Sequence, residues 1–311
     1  MSKKISIVTP TFNEELNIEK LCIEIALEMK KLNYDYEHIV IDNLSTDSTV
    51  EILEKITKTD KNLKVIINSR NFGHIRSPIH GLLQANGDAA ILMSADFQDP
   101  IDLISKYIKE WENGHLVVMG QKTTSDESKF KHYFKKLYYK FINAISEVPL
   151  LMDTTGAGLF DRKVIEVLRG VNDPYPYFRG LVCEVTNDVK LLPFHQPKRN
   201  KGSTKNNFYT LYDLGIVGII KHSKIPLRII TFIGLVASFI SLLISIIFLF
   251  RKLFNWNSFD AGIAPLIIGV FLIGSIQIFL LGFIGEYVMN ILYHSRNMPL
   301  VIEKKRINFD K

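Results

Sequence analysis

Two long apolar runs near the C-terminus constrain this chain more than any other feature. Ile229 to Phe250 holds no charged residue, and Ile263 to Ile284 repeats the pattern with Gln277 as its one strongly polar interruption. At a rise of about 1.5 Å per residue, a helical run of roughly 22 residues just spans a hydrocarbon core. The connection between them, Arg251 to Asp260, is short and polar and carries Trp256, so the pair reads as a hairpin whose flanks share one side. Lys221, Lys224 and Arg228 precede it, and Arg296, Lys304, Lys305 and Arg306 follow it, whereas the loop holds only Arg251 and Lys252. That excess places the N-terminal domain and both termini in the cytoplasm. A buried helix pair in a soluble protein is the alternative.

The rest of the composition fits such a location. Net charge is +6 over 311 residues, and Lys and Arg collect at 129–140 and 198–228, beside very apolar sequence. Patches of that kind suit an anionic membrane surface or a phosphorylated ligand better than a nucleic-acid groove, so no nucleic-acid partner is expected. Cys22 and Cys183 are the only cysteines, too few for a disulfide framework or a zinc site, and a reducing compartment follows. The apolar stretch after the basic N-terminus, Ile5 to Val8, is too short for a signal-peptide core.

Ahead of the hairpin, strand and helix patterns alternate. Ile5–Thr9, Glu37–Asp42, Lys64–Asn68 and Ala89–Ser94 are short apolar strands ending in polar residues, and Leu16–Leu32, Ser48–Lys58, Ser77–Ala85 and Ile101–Glu112 carry helical periodicity. This repetition predicts an α/β domain with a mainly parallel sheet covered on both faces and ligands at the carboxyl ends of the strands. The boundaries that result are a catalytic domain over 1–200, a juxtamembrane amphipathic segment over 201–225, two transmembrane helices over 226–295 and a tail over 296–311.

The polar loops after those four strands are the candidates for chemistry. They read Thr9-Pro10-Thr11-Phe12-Asn13-Glu14-Glu15, Asp42-Asn43-Leu44-Ser45-Thr46-Asp47-Ser48-Thr49, Ser69-Arg70-Asn71-Phe72-Gly73-His74 and Ser94-Ala95-Asp96-Phe97-Gln98-Asp99-Pro100. Neither G-x-G-x-x-G nor the P-loop pattern G-x-x-x-x-G-K-[ST] occurs. A crevice with carboxylates and amides but few cations takes a diphosphate only with a hard divalent ion, and the oxygens of Asp96 and Gln98 suit Mg²⁺ or Mn²⁺. Taken singly, Asp47-Ser48 could merely cap a helix and Asp99-Pro100 merely start one.

In order along the chain, P-T-F-N-E-E at 10–15, I-D-N-L-S-T-D-S-T at 41–49, S-R-N-F-G-H at 69–74, A-D-F-Q-D-P at 95–100, R-G-L-V at 179–182 and the two apolar runs resemble the family-2 glycosyltransferases. The resemblance is to their polyprenyl-phosphate branch. It implies a GT-A (Rossmann-like) fold, a nucleotide-diphosphate sugar donor (UDP-sugar favoured), a divalent metal and inversion at the anomeric carbon. The acceptor would be a polyprenyl phosphate, and the role a hexosyltransferase in cell-surface polysaccharide biosynthesis. Carried over residue by residue, Pro10, Phe12, Asn13, Glu14, Asp42, Asn43, Ser45, Arg70, Gly73, His74 and Ala95 would hold the nucleotide-sugar. Asp96 and Gln98 would hold the metal, and with Lys122 they form the expected catalytic set. The stretch Arg199 to Lys205 resembles the family's R-x-x-G-x-S-K, so Lys122, Arg199, Ser203 and Lys205 would take the acceptor phosphate.

Four positions depart from the family pattern. Ser94 stands first in the usual D-x-D, and Asn43 stands for the second Asp of D-D-x-S. Thr155 to Phe160 replaces the usual G-D-F-R-L, with Gly156 and Gly158 expected to leave open space. Lys122 in the loop Gly120-Gln121-Lys122 replaces an Arg, a point charge for a bidentate fork. Aromatic stripes at Phe130–Ile145 and Phe208–Ile219 could lie in a membrane interface, although the first could equally pack on the soluble domain. Two other readings stay open. One is a same-fold transferase acting on a saccharide hydroxyl, with Asp153 or Asp99 as base; the other is a silent nucleotide-sugar binder. Self-association is compatible with all three.

Overall fold

A computed structural model describes residues 3–123, 151, 154–171, 173, 176–197, 263–296 and 298–309, with scattered positions between 228 and 254. Four strand–helix units come first: β1 (Lys4–Thr11), α1 (Ile18–Leu32), β2 (Asp35–Asp42), α2 (Thr49–Thr59), β3 (Leu63–Asn68), α3 (Gly73–Leu83), β4 (Ala89–Leu92) and α4 (Leu103–Glu112). Then come β5 (Val117–Lys122), β6 (Thr154–Asp161), α5 (Arg162–Gly170), α6 (Phe178–Val185) and β7 (Val189–Phe194). The last two elements are α7 (Ile263–Ser295) and β8 (Glu303–Ile307). Among the described residues the strands form one sheet in the order β7-β5-β6-β4-β1-β2-β3-β8.

The sheet is mostly parallel, as the alternation predicts. β1 pairs in parallel with β2 and with β4, and β2 with β3. β6 runs antiparallel between β4 and β5, and β7 runs parallel to β5. Period-2 alternation sends Ile5, Ile7, Val40, Val65 and Ile91 to one face, where α1, α2 and α4 cover them. Val8, Ile39, Ile41, Ile66 and Leu92 face the other way, against α3, α5 and α6. Both faces are therefore buried, which is why these strands read as nearly unbroken apolar runs.

Most element ends fall within two residues of the sequence reading, and two larger differences separate the structure from it. Helix α3 begins at Gly73, four residues ahead of the expected Ser77, and so contains Pro78. Pro78 marks a helix start by its chemistry, but here it sits a turn inside and leaves the His74 carbonyl without its helical N–H. The second difference is in the tail. Glu303–Ile307 pairs antiparallel with β3 as the edge strand of the sheet. Ser69 N–H donates to the Ile302 carbonyl at 2.9 Å, and the Asn308 amide donates to the carbonyls of Thr57, Asp60 and Leu63.

Helix α7 runs 33 residues, about 50 Å. Its side chains are described at only part of its positions, and counted over those alone no helix is long and apolar enough to cross a membrane. The stripes at 130–145 and 208–219, Asp153, and the segment 198–227 lie outside the described residues.

One buried ion cluster ties β1, β2, β3 and the turn before β4 together. Glu37 is 1% exposed and accepts from Lys64 at 2.8 Å, Ser6 Oγ at 2.6 Å and Asn86 N–H at 2.7 Å, with Lys4 at 3.3 Å. Burial raises its pKa, but the bonds from Lys64, Ser6 and Asn86 outweigh that and bring it from 4.5 down to about 2. A carboxylate depressed by that much contributes about 3 kcal/mol. Because its folded pKa is the lower one, the contribution is complete above about pH 4.5 and is lost as pH falls toward 2. Denaturant titrations should show Glu37→Gln less stable by about 3 kcal/mol at pH 7, with the gap to the parent chain closing through that acidic window.

Candidate functional site

Strand order reverses at β1: the chain leaves it toward β2 by way of α1 and returns over the opposite face through α3 to β4. Loops at the carboxyl ends therefore splay apart beside β1 and leave a crevice. Each of the three loops next to it contains a non-glycine residue at positive φ: Asn13 at 58°, Leu44 at 61° and Phe97 at 58°. Asn adopts that region readily, but Leu and Phe are strained there by roughly 1–3 kcal/mol and must be held by their surroundings.

Around Asn13 and Leu44 the hold is a reciprocal set of bonds between the β1 and β2 loops. Asn13 N–H donates to Ser45 Oγ at 2.8 Å, and Thr46 N–H donates back to Asn13 Oδ1 at 2.8 Å. Glu14 N–H donates to Thr49 Oγ1 at 2.9 Å, Glu15 N–H to Asp47 Oδ2 at 3.2 Å, and Ser48 N–H to Glu15 Oε2 at 3.0 Å. Asp42 is fully buried and accepts from both the N–H (2.9 Å) and the hydroxyl (2.5 Å) of Ser45. Burial pushes its carboxyl above the ordinary range, against those Ser45 bonds. The structure thus brings Asn13, Glu14, Asp42 and Ser45 together.

Asn43 has a role that the motif does not disclose. Its Oδ1 accepts from Phe72 N–H at 2.8 Å and from Asn68 Nδ2 at 3.0 Å, while its Nδ2 donates to Asn71 Oδ1 at 2.8 Å and to the Gly73 carbonyl at 3.2 Å. All four hydrogen-bonding positions of the amide are used, so the side chain fixes the β3 loop. A carboxylate here would lose both donated bonds and oppose two acceptors. The asparagine in place of the usual aspartate is thereby explained. Arg70, in the same loop, is exposed and lies 4.3 Å from the Phe72 ring centroid.

Past β4, the strained Phe97 separates Asp96 from Gln98, and Gln98 N–H donates to Asp96 Oδ1 at 3.2 Å. Asp96 and Ala95 are buried, at 8% and 4% exposure. A cavity of about 340 Å³ opens on this side of the crevice, between Pro10 of β1, His74 and Pro78 of α3, Ser94, Gln98 and Asp99, Lys122 of β5, and Gly156 of β6. Asp99 is 2% exposed. Burial raises its pKa against the Ser94 bonds and the Lys122 charge, and Asp96 pushes it further up. Tyr177, Phe178 and Arg179, around the start of α6, complete the wall. Of these only Arg179 carried a signal in the sequence, through R-G-L-V. Lys122 lies at the end of a strand, not in a loop. Arg199, Ser203 and Lys205 fall outside the described residues.

The two glycines of β6 behave differently. Gly156 has φ +85° and nothing within 4 Å of where a Cβ would stand, so it leaves the expected open space. Gly158 does not. A Cβ there would sit 2.4 Å from the Val118 carbonyl oxygen, so glycine is required for β6 to lie against β5.

Residues 6–169, which supply the crevice loops and most of the cavity wall, match the description Glycosyl transferase family 2. The chain belongs to that family. Among similar family members, YkcC of Bacillus subtilis, named an uncharacterized glycosyltransferase, is 32% identical over 98% of this chain and 95% of its own. Bactoprenol glucosyl transferase of Shigella phage SfII is 29% identical over 97% of this chain and 98% of its own. Mannosyl-3-phosphoglycerate synthase of Rubrobacter xylanophilus is 13% identical with a TM-score of 0.51, over 70% of this chain and 72% of that one, a likeness of fold alone. The fold of this family-2 transferase is accordingly GT-A-like.

The four bonds of Asn43 give a direct expectation. Asn43→Asp, the residue that the family pattern favours, should destabilise this chain by about 2–4 kcal/mol in thermal or denaturant unfolding. It should also weaken nucleotide binding through a loosened β3 loop, measured by calorimetric titration. Equal stability of the two chains would show that the amide network is dispensable.

Proposed function

We propose that this family-2 transferase moves a sugar, with inversion, from a nucleotide-diphosphate donor, UDP-linked by preference, to a polyprenyl phosphate at the cytoplasmic face of a membrane. The observation that carries the acceptor is the cavity wall: Gly156 offers no carboxylate there, Asp99 on the same wall is buried and bonded to Ser94, and Lys122 and Arg179 bring two cations. An anionic acceptor suits that wall better than a hydroxyl awaiting a base. The full-length likeness to a bactoprenol glucosyl transferase supports the same acceptor class. Leu266, Val270, Ile278 and Leu281 of α7 are 62–73% exposed on the protein itself, which supports a lipid surrounding for that helix.

The donor set fits a divalent cation. Asp96 and Gln98 offer hard oxygens, and Asp99 Oδ1 is buried without a hydrogen-bond partner. Among the described residues no group of three or more His, Cys, Asp and Glu side chains gathers, so phosphate oxygens would complete the shell. Mg²⁺ or Mn²⁺ held by Asp96 and Gln98 would stabilise charge developing on the departing diphosphate. The protein's own part is positional. The β1 and β2 loops hold the nucleoside, and Lys122 and Arg179 aim the acceptor phosphate at the anomeric carbon. A bond forms from phosphate oxygen to that carbon as its bond to the donor diphosphate breaks, and the diphosphate leaves with the electron pair. No general base is required, because a phosphate monoester with a second pKa of about 6 is largely dianionic at neutral pH.

Radiolabelled UDP- and GDP-sugars offered with undecaprenyl phosphate in detergent test this reading. One donor should label the lipid fraction, and EDTA should abolish the label. Absence of label with every donor would contradict the acceptor assignment. Lys122→Met should raise the KM for the lipid phosphate about tenfold while leaving the KM for the donor within about twofold.

A further inference from the structure

We propose that Asp99 supplies the second carboxylate of the divalent-cation site, in place of the acidic residue that Ser94 replaces, and that Ser94 positions it. The inference rests on the metal-dependent reading above and names a ligand that the D-x-D pattern does not. With serine at 94, the pattern leaves one carboxylate, Asp96, and one amide, Gln98. A divalent ion that must also balance a diphosphate is held more effectively by two carboxylates.

The geometry points to where the second one lies. Ser94 donates twice to the same oxygen, Asp99 Oδ2, from its N–H at 3.2 Å and its hydroxyl at 2.5 Å. Those two bonds fix the plane of the carboxylate. The other oxygen, Oδ1, has no hydrogen-bond partner, although the residue is 2% exposed. Leaving a buried carboxylate oxygen unmatched costs more than a typical hydrogen bond contributes, so such an atom marks a place where something else binds. Asp99 shares its cavity wall with Ser94 and Gln98.

A helix-capping role for Asp99 is ruled out by position. The residue before α4 is Asp102, and the backbone bonds opening that helix run from Leu103 to Pro100 and from Ile104 to Ile101. Nothing at the start of α4 uses the Asp99 carboxylate. Ser94 therefore acts through Asp99: it turns a residue five positions further along into the cation's partner.

The test is Mn²⁺ binding, followed by loss of the free-ion electron paramagnetic resonance signal, with the full chain in detergent and UDP present. Asp99→Asn should bind Mn²⁺ about tenfold or more weakly than the parent chain, with its melting temperature retained. The swap Ser94→Asp with Asp99→Asn restores the carboxylate at the other position and should recover affinity to within about threefold of the parent. Asp99→Asn binding like the parent overturns the proposal, as does a folded swap chain that fails to recover. If the parent itself does not bind Mn²⁺ with UDP, the metal-dependent reading falls and takes this proposal with it. Should the variants fail to fold, the anomalous signal of Mn²⁺ in crystals of the parent chain with UDP decides. A peak within coordination distance of Asp99 Oδ1 supports the proposal, and a peak reached by Asp96 and Gln98 alone overturns it.

Discussion

The parallel pairing of β1 with both β2 and β4 is the constraint on which the rest depends. Register from Lys4–Asp35 through Thr11–Asp42 brings the ends of β1 and β2 out together, so that Asn13 meets Ser45 and Glu14 meets Thr49. On its other side β4 ends at Leu92, opposite Val8, and its polar loop therefore starts below the β1 loop. A crevice with one tall and one short wall results. The interlocked loops around Asn13 and Ser45 stand on the β2 side, and the Asp96–Asp99 loop and the cavity lie on the β4 side.

Order in that crevice comes from amides and hydroxyls more than from charge. Asn43 holds one loop with four bonds, and Ser45 serves both Asp42 and Asn13. These bonds flank Leu44 and keep it in a backbone region that it would otherwise avoid. Polar groups satisfied inside the protein do not have to reorganise when a charged ligand arrives, which is the property a transferase needs around a departing diphosphate.

Much of this was legible in the sequence, for identifiable reasons. β1 to β4 are buried on both faces, and the apolar runs that burial demands made them visible; the polar residue ending each run located the crevice loops. Other features were hidden. The first turn of α3 is hidden because Gly73 and Pro78 are poor helix interiors by propensity, so the periodic pattern shows only from Ser77. β8 reads as tail in the sequence because Glu303, Lys304, Lys305 and Arg306 are charged, as an edge strand is when it resists further pairing. Asn43 looked like a lost charge because a motif records residue types and not hydrogen-bond partners. Gly158 looked like open space because only the pairing of β6 with β5 shows the Val118 carbonyl in the way. Asp99 was visible only as a candidate base or helix start, since its link to Ser94 depends on how the loop folds back.

The central claim is that a nucleotide-sugar occupies the crevice at the ends of β1, β2, β3 and β4. Amide hydrogen exchange of the full chain in detergent, with and without UDP-sugar and Mn²⁺, tests it most directly. The account predicts slowed exchange in the loops 13–15, 44–48, 69–74 and 95–98, with β7 and β8 unchanged. Protection confined to elements outside those loops, with the loops exchanging as before, would contradict it.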